Sequence, residues 1–249
     1  MLVLLPPSET KATGGSGAPL ELAALSSPEL TPARERLLRA LVRLGTRPKQ
    51  AADILGLSPR QLGEIARNAE LTQSPTAPAV ERYTGVLFDA LDIGSLSRAE
   101  RARADARIAI ASALFGLVRA DDPIPAYRLS GGTTLPRIGT MRSVWRPTLG
   151  PVLADIAREQ LVVDLRSGAY QSLAPVDDAV TVRVLHERAD GARGVVSHFN
   201  KATKGRLARL LARTVSEPAT IEDVTRVARR GGLQVERSGD LAIDIITRD

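Results

Sequence analysis

Leu161-Val162-Val163-Asp164-Leu165 is a short apolar run that carries one carboxylate. It follows the helical pattern Pro147–Gln160 and precedes a second Val-rich run, Ala179–Leu185. Runs of this length, rich in β-branched residues, are typical of buried strands. Strands and helices also interleave on both sides of this stretch, which predicts an α/β fold with a mixed sheet flanked by helices.

The same periodicity predicts the remaining elements. Further strands are predicted at Leu2–Leu5, Gly194–Phe199 and Leu241–Ile246. A capping box, Ser97-Arg98-Ala99-Glu100, predicts a helix that becomes apolar through Leu117. The other predicted helices are Thr31–Leu44, Lys49–Leu55, Pro59–Ala69, Ala79–Ala90, Lys201–Thr214 and Ile221–Arg230.

Length and composition limit the class of protein. With 249 residues, 43% of them hydrophobic and 25% charged, the chain has the composition of a globular protein. We expect one compact domain over residues 1–249. The longest apolar run, Ile108–Val118, is well short of the about twenty residues that span a bilayer, so we expect no membrane partner. Met1–Leu5 lacks the basic start of a signal peptide, which favours a cytoplasmic protein.

Cysteine is absent and only His186 and His198 are present. This composition excludes disulfides, thiolate zinc sites, cysteine-ligated clusters and histidine-rich metal centres. A carboxylate-only site stays open, but no Glu-x-x-His pair marks one. We therefore expect neither a metal nor a cofactor.

The charge balance is basic, with a formal net charge of +6 and an isoelectric point near 10.2. A basic chain of this kind favours a polyanionic partner. Thirty of its cations are arginines, and the four lysines are Lys11, Lys49, Lys201 and Lys204. A lysine that persists against this bias either marks a position that needs a compact ammonium or is there by chance.

A helix-hairpin-helix is predicted at about residues 47–70. Gly56 lies between two leucines and permits a tight turn, and Ser58 opens the second helix with an S-x-x-Q capping box. The free N–H groups at such a helix start attract phosphate, and Lys49 and Arg60 add positive charge. The alternative is an ordinary helical hairpin that packs on the core.

A basic stretch extends from Arg193 to Arg213, with no acidic residue between Asp190 and Glu217. It includes Lys201, Lys204 and Arg206. If the helix begins at Lys201, both lysines lie in its first turn, where cations oppose the helix dipole. Phosphate is one candidate for the compensating anion, and the carboxylate of Asp164 is the other.

Two loops carry further candidate residues. Pro125–Gly132 combines Tyr127 and Arg128 with a Gly-Gly pair, and no acid occurs from Pro123 to Ala154, a range that includes Arg137, Arg142 and Arg146. Here the aromatic residues either contact a base or pack in the core.

The second loop follows the Leu161–Leu165 strand, where Asp164, Ser167 and Tyr170 surround a turn. Open α/β sheets place ligand-binding groups at the ends of such strands, but Asp164 could equally cap the turn.

Four segments together resemble the YaaA family of peroxide-stress proteins and occur in that family's order. They are Met1–Lys11, Ser112–Arg119 with Pro125–Leu129, Val163–Tyr170, and Ser197–Gly205. The resemblance implies a compact α/β fold with a helix-hairpin-helix, a positively charged cleft that binds DNA, and a role in limiting oxidative damage under peroxide.

The resemblance also assigns residues. It carries over to Tyr127, Arg128, Ser167, Tyr170 and Lys201. Lys204 stands where the family has Arg, and Asp164 where it has Asn. The family's better-known branch reads Ser-Pro-Ala-Lys-Thr near the amino terminus, whereas here the lysine falls at Lys11.

Two functions follow from these observations, and a third has less support in the sequence. The first is a DNA-binding protective protein without turnover, with duplex or distorted DNA as its partner. The alternative is an enzyme acting on a nucleobase or nucleotide, with Asp164 as base or electrostatic stabiliser and Lys201 or Lys204 as nucleophile or phosphate ligand. Direct iron storage needs a ligand cluster that the sequence does not offer. The oligomeric state is left open.

Overall fold

The structure, a computed structural model, describes residues 1–248, and for Ser197 and His198 it describes the backbone alone. The last residue of the predicted domain 1–249 and the side chain of His198 therefore lie outside the described residues.

The strands are numbered in chain order and fall into one large sheet and two small ones. They are β1 (Leu2–Leu5), β2 (Gly17–Pro19), β3 (Pro75–Pro78), β4 (Ile108–Ser112), β5 (Gly116–Arg119), β6 (Pro123–Ile124), β7 (Thr134–Leu135), β8 (Gly139–Thr140), β9 (Val162–Asp164), β10 (Ala179–Glu187), β11 (Arg193–Gly194), β12 (Gln234–Gly239) and β13 (Ala242–Thr247).

Helices flank the large sheet and include several short ones. They are α1 (Thr31–Gly45), α2 (Pro48–Leu55), α3 (Gly63–Ala69), α4 (Ala79–Arg82), α5 (Val86–Leu91), α6 (Arg98–Arg107), α7 (Met141–Glu159), α8 (Gly168–Gln171), α9 (Ser197–Arg213) and α10 (Ile221–Arg230).

The large sheet is mixed, as the sequence predicts. Its order is β12-β13-β10-β9-β1-β4-β5, and β11 pairs with β10. The five inner strands, β13 to β4, run parallel, while β12, β5 and β11 pair antiparallel. β4 and β9 lie on opposite sides of β1, so their carboxyl ends meet at the same edge of the sheet.

The inner strands are apolar because helices exclude water from the sheet. All residues of β1, β4 and β9 are buried. The polar residues of these three strands are Asp164, the last residue of β9, and Ser112, the last residue of β4. Both polar residues thus lie where the strands end.

The predicted continuation of a helix through Leu117 is wrong. The capping box is present, since Ser97 Oγ accepts from the Glu100 N–H, but α6 ends at Arg107. The apolar run after it forms β4 and the antiparallel β5, joined by a turn that leads into Gly116 with φ +75°. A short apolar run fits a buried strand as well as a buried helix, and here β1 provides the parallel partner that decides between them.

Two other predicted elements differ from the structure. The helix predicted over Ala79–Ala90 is interrupted between α4 and α5 by Tyr83–Gly85, where Gly85 has φ +98°. The strand predicted over Gly194–Phe199 is wrong beyond Gly194, because α9 already begins at Ser197. Lys201 and Lys204 are therefore not in the first turn of the helix, and the predicted conflict with its dipole does not arise.

The beginnings of two helices also differ between prediction and structure. α7 begins at Met141, six residues before the prediction, because Thr140 Oγ1 caps it by accepting from the Ser143 N–H at 3.1 Å. The second helix of the 47–70 segment begins with a 3-10 turn, Pro59–Gln61, before α3. Within residues 1–248, no helix has the length and apolar character needed to cross a bilayer.

Candidate functional site

A cavity of about 650 Å³ opens at the carboxyl edge of the parallel strands. The segments after β1 and β9 contribute to it, as does the first half of α9. In open α/β sheets this edge is the usual location of ligand sites, because the chain crosses from one side of β1 to the other there. The position agrees with the interpretation of Asp164–Tyr170 as a ligand-binding turn.

The lining of the cavity is partly apolar and partly polar. Pro6, Pro7 and the start of α5 contribute apolar surface. The polar lining residues are Ser8, Glu9, Thr10, Thr84, Ser130, Ser167, Tyr170, Asn200, Lys201 and Lys204. Five distant segments of the chain thus converge here, including four that the sequence singled out.

The Pro125–Gly132 loop is held over this cavity by specific contacts. Arg128 forms an ion pair with Glu9, with Nη1 2.6 Å from Oε2. The Gly131 N–H donates to the Tyr170 hydroxyl at 3.1 Å. A Cβ at Gly131 would lie 3.1 Å from Tyr170 Cζ, so the glycine permits this close approach. Burial raises the pKa of Tyr170, which keeps its hydroxyl neutral.

Tyr127 is in the core, which agrees with the core-packing alternative for this residue. Its hydroxyl lies 2.8 Å from that of Tyr83 and 2.7 Å from Ser112 Oγ, at the end of β4. Burial raises the pKa of Tyr83 to about 12 and that of Tyr127 well above its ordinary value. Trp145 is also buried, and its indole N–H donates to the Ala113 carbonyl.

Lys11 lies beside these tyrosines and does not line the cavity. Its ammonium is 4.3 Å from the ring centroid of Tyr127 and 5.3 Å from that of Tyr83, and it donates to the Ser8 carbonyl. Burial lowers the pKa of Lys11 to about 8, although the nearby Glu9 opposes this shift. Aromatic faces stabilise a cation, but less completely than water does.

Asp164 is buried beneath the cavity in a bidentate ion pair. Arg166 donates from Nε to Oδ1 at 2.9 Å and from Nη2 to Oδ2 at 2.8 Å, and its backbone N–H also donates to Oδ1. Both carboxylate oxygens are therefore occupied. This geometry resembles the turn-capping alternative more than an open general base.

The two lysines of α9 differ in environment. Lys201 is exposed at the mouth of the cavity. Lys204 is buried and donates to the carbonyls of Leu165 and Arg166 at 3.1 and 3.4 Å. Burial lowers the pKa of Lys204, and the Asp164 carboxylate opposes that effect. Lys204 is thus held by backbone carbonyls, with the Asp164 carboxylate as a nearby charge. Lys201 has no salt bridge within the described part of the chain.

The α2–α3 segment lies outside the cavity lining. Gly56 has φ +60° in the turn, and Gln61 Oε1 accepts from the backbone N–H and the Oγ of Ser58. The side chains of Lys49 and Arg60 are exposed. The segment contacts the site through Asn68 of α3, whose side-chain amide hydrogen-bonds the backbone of Arg128.

The basic stretch is partly neutralised, contrary to the uncompensated field that its sequence indicates. Arg193 pairs with Glu187 and Glu236, and Arg213 pairs with Glu100. Carboxylates distant in sequence thus reach these arginines. Arg206 is exposed on α9 but does not line the cavity.

Asn200 is the site residue that sequence reasoning missed. It lines the cavity, and its Oδ1 is a buried acceptor without a hydrogen-bond partner among the described residues. Its position inside the Ser197–Gly205 segment was the available signal. Among the side chains that the structure describes, no group of three or more His, Asp or Glu residues has the geometry to hold a metal ion.

Comparison with known proteins identifies the family. A UPF0246 protein of Corynebacterium glutamicum is 50% identical over 242 residues, 96% of each chain. A UPF0246 protein of Streptomyces coelicolor is 46% identical over 95% of this chain and 92% of its own length. One from Shewanella woodyi is 26% identical over the full length of both. The family model described as peroxide stress protein YaaA matches residues 1–238, and the chain therefore belongs to that family.

Proposed function

We propose that this protein binds DNA, duplex or distorted and without sequence specificity, as its part in the peroxide stress response. The DNA backbone passes across the mouth of the cavity and along the α2–α3 hairpin. Lys201 and Lys204, with Ser167 and Tyr170 beside them, form the cavity side of this surface.

The hydrogen bonds between Asn68 and Arg128 are the observation that carries the proposal. Both distances are 2.8 Å, and they fix α3 to the loop that covers the cavity. A phosphodiester chain that contacts the hairpin is thereby guided toward the cavity mouth. The two candidate nucleic-acid elements of the sequence then act as one surface.

The hairpin supplies backbone binding without base recognition. Gly56 permits the left-handed turn between the helices, and the exposed Lys49 and Arg60 add positive charge on either side of it. Backbone contacts of this kind position a duplex and carry no sequence information. Arg128 contributes once its ion pair with Glu9 opens.

Salt dependence tests the proposal. Affinity for a duplex and for a bulged DNA is measured by fluorescence anisotropy between 50 and 200 mM salt. The logarithm of the binding constant is expected to fall linearly with the logarithm of the salt concentration, with a slope of about 0.9 per phosphate contact. Lys201→Glu and Lys49→Glu/Arg60→Glu are expected to weaken binding at least about tenfold and to flatten the slope. Arg158→Glu, a change at an exposed arginine on α7 away from the proposed surface, is the control.

Two results contradict the proposal. One is affinity that does not change with salt. The other is equal loss in Lys201→Glu and Arg158→Glu, because net charge alone would then explain the binding.

An enzyme acting on a nucleobase in the same cavity is the second candidate, and Asn200 favours it. The volume of about 650 Å³ lies within the range of small-molecule sites, and the unpartnered Oδ1 accepts the amino or ring N–H of a base. Lys201 is the exposed amine for an imine with a sugar aldehyde. A base role for Asp164 requires its ion pair with Arg166 to open.

Borohydride trapping on DNA that contains an abasic site separates the two candidates. Attack by the Lys201 amine on the aldehyde, with loss of water, gives an imine that borohydride reduces to a stable cross-link. A cross-link in the wild type that Lys201→Arg abolishes supports the enzyme. Tight DNA binding without any cross-link or base release supports the protective protein.

A further inference from the structure

A second cavity, of about 410 Å³, lies between α1 and the β7–β8 hairpin. We call it the arginine pocket, because guanidinium groups surround it while Leu44 and Leu135 give it an apolar floor. No acidic residue lines it within the described part of the chain. Its arginines are Arg36, Arg39, Arg43, Arg47 and Arg137.

The arginines of α1 lie on one face of the helix. Arg36, Arg39 and Arg43 follow each other at intervals of three and four residues, which places them side by side. Arg47 extends the row where α1 meets α2. Like charges at this spacing repel each other, so an anion between them stabilises the arrangement.

Arg137 approaches the row from the opposite side. It lies in the turn between β7 and β8 with φ +60°, in the left-handed region that favours glycine. Arg36 Nη2 donates to the neighbouring Ile138 carbonyl at 3.1 Å, which holds the turn against α1. Arg137 therefore lines the arginine pocket from the hairpin, while the other four arginines line it from α1 and the junction of α1 with α2.

Among the described residues, most of the pocket arginines have no carboxylate partner. Arg39 contacts Glu35 at 3.3 Å on the surface, whereas Arg43, Arg47 and Arg137 have no salt bridge among the described residues. The cavity beside α10, by contrast, has an acidic residue in its lining, Glu222, which pairs with Arg237 of β12, and its Arg226 pairs with Asp223. The arginine pocket therefore retains uncompensated positive charge.

We propose that the arginine pocket binds a free nucleotide that carries two or three phosphates. Arg43 and Arg137 line the pocket from different elements, and their guanidinium groups bind the phosphates, a pairing for which the planar fork of arginine is suited. The base packs on the apolar floor, and Gln50 is close enough in the lining to hydrogen-bond its edge.

The volume and the shape favour a small ligand over a long duplex. A cavity of about 410 Å³ lies within the range of small-molecule sites, and its apolar floor fits a planar ring. The arginine pocket shares no lining residue with the cavity at the carboxyl edge of the sheet. The inference is therefore independent of the proposed DNA binding.

Isothermal titration calorimetry with the full chain tests the proposal, with ATP, ADP, AMP and adenosine as probes. We expect affinity to increase with the number of phosphates. Arg43→Ala/Arg137→Ala is expected to weaken ATP binding at least about tenfold, since it removes two charged partners. Arg158→Ala/Arg188→Ala removes the same charge from exposed positions elsewhere and is expected to change the affinity less than about threefold.

Three results would overturn the inference. They are the absence of ATP binding up to millimolar concentration, equal affinity for adenosine and ATP, and equal loss of affinity in the two double variants. Duplex DNA is titrated in parallel as a further arm. If Arg43→Ala/Arg137→Ala weakens duplex binding while the wild type binds no ATP, the arginines contact the DNA backbone and the nucleotide site is rejected.

Discussion

The side-chain amide of Asn68 forms two hydrogen bonds with the backbone of Arg128, at 2.8 Å each. Nδ2 donates to the Arg128 carbonyl, and Oδ1 accepts from the Arg128 N–H. Asn68 is completely buried, and the two residues are 60 positions apart in the chain. This pair fixes α3 to the Pro125–Gly132 loop, whose last residues line the cavity.

Asn68→Leu is expected to lower the free energy of unfolding by about 2–4 kcal/mol. Leucine has a similar volume but leaves one buried donor and one buried acceptor on Arg128 without partners, each at about 1–3 kcal/mol. Urea unfolding followed by circular dichroism measures the change. Gln234→Ala, on the exposed edge strand, serves as control and is expected to stay within about 0.5 kcal/mol. A loss below 1 kcal/mol for Asn68→Leu would mean that water replaces the lost bonds.

Lys11 is expected to titrate near pH 8, below the ordinary pKa of a lysine side chain. Its ammonium lies against the rings of Tyr83 and Tyr127, where burial lowers the pKa to about 8. The chain has only four lysines, so lysine labelled with ¹³C gives four resolvable signals. The signal that moves near pH 8 should disappear in Lys11→Arg. Four signals that all move near pH 10 would contradict the burial of this ammonium.

The same shift makes stability depend on pH. Between pH 8 and 10.5 the unfolded chain binds more protons at Lys11 than the folded chain does, so the free energy of unfolding rises with pH. The rise is at most about 3 kcal/mol and begins as pH passes the lowered pKa. Lys11→Met removes this pH dependence, so the difference in free energy of unfolding between wild type and variant should change between pH 8 and 10.5. A constant difference would show that Lys11 has the same pKa in both states.

The α/β class and most elements of the sheet were predictable because buried strands are short and rich in β-branched residues. β9, β10 and β13 follow this pattern, and β1 is a short apolar run rich in leucine. The apolar segment after α6 was not predictable, because only the parallel pairing with β1 distinguishes strand from helix there. Hydrophobic periodicity is a property of one segment, whereas the formation of a strand also depends on the neighbouring strands that pair with it.

The candidate site was predictable in outline and not in its contacts. The turn after β9 and the Pro125–Gly132 loop meet at one cavity, as their motifs indicate. The pairing of Arg128 with Glu9 joins residues 119 positions apart, and no local pattern reports it. For the same reason the sequence did not distinguish the exposed Lys201 from the buried Lys204.

Gly205→Ala is expected to destabilise the protein and to displace α9. A Cβ at this position would lie 2.2 Å from the Leu87 carbonyl oxygen of α5, so the two helices cross in contact. Overpacking of this kind costs about 1–3 kcal/mol or more. Gly150→Ala in α7 is the control: nothing lies within 4 Å of its Cβ, and alanine is expected to stabilise that helix by up to about 1 kcal/mol. Thermal unfolding measures both. Equal melting temperatures for the two variants would contradict the close crossing of α5 and α9.

The ion pair beneath the cavity gives the last prediction. Arg166→Ala leaves the carboxylate of Asp164, only 3% exposed, without its guanidinium partner, and is expected to cost about 3–5 kcal/mol. Asp164→Ala likewise leaves the buried guanidinium of Arg166 without its carboxylate partner, and the nearby Lys204 loses an attractive charge.

The double variant Asp164→Ala/Arg166→Ala leaves neither partner stranded, so its loss of stability should be smaller than the sum of the single losses. Urea unfolding of all four proteins gives this coupling energy directly. Losses that add without coupling would mean that the pair contributes nothing to holding the turn. Asp164 would then be free to serve the cavity above it, as the second candidate function requires.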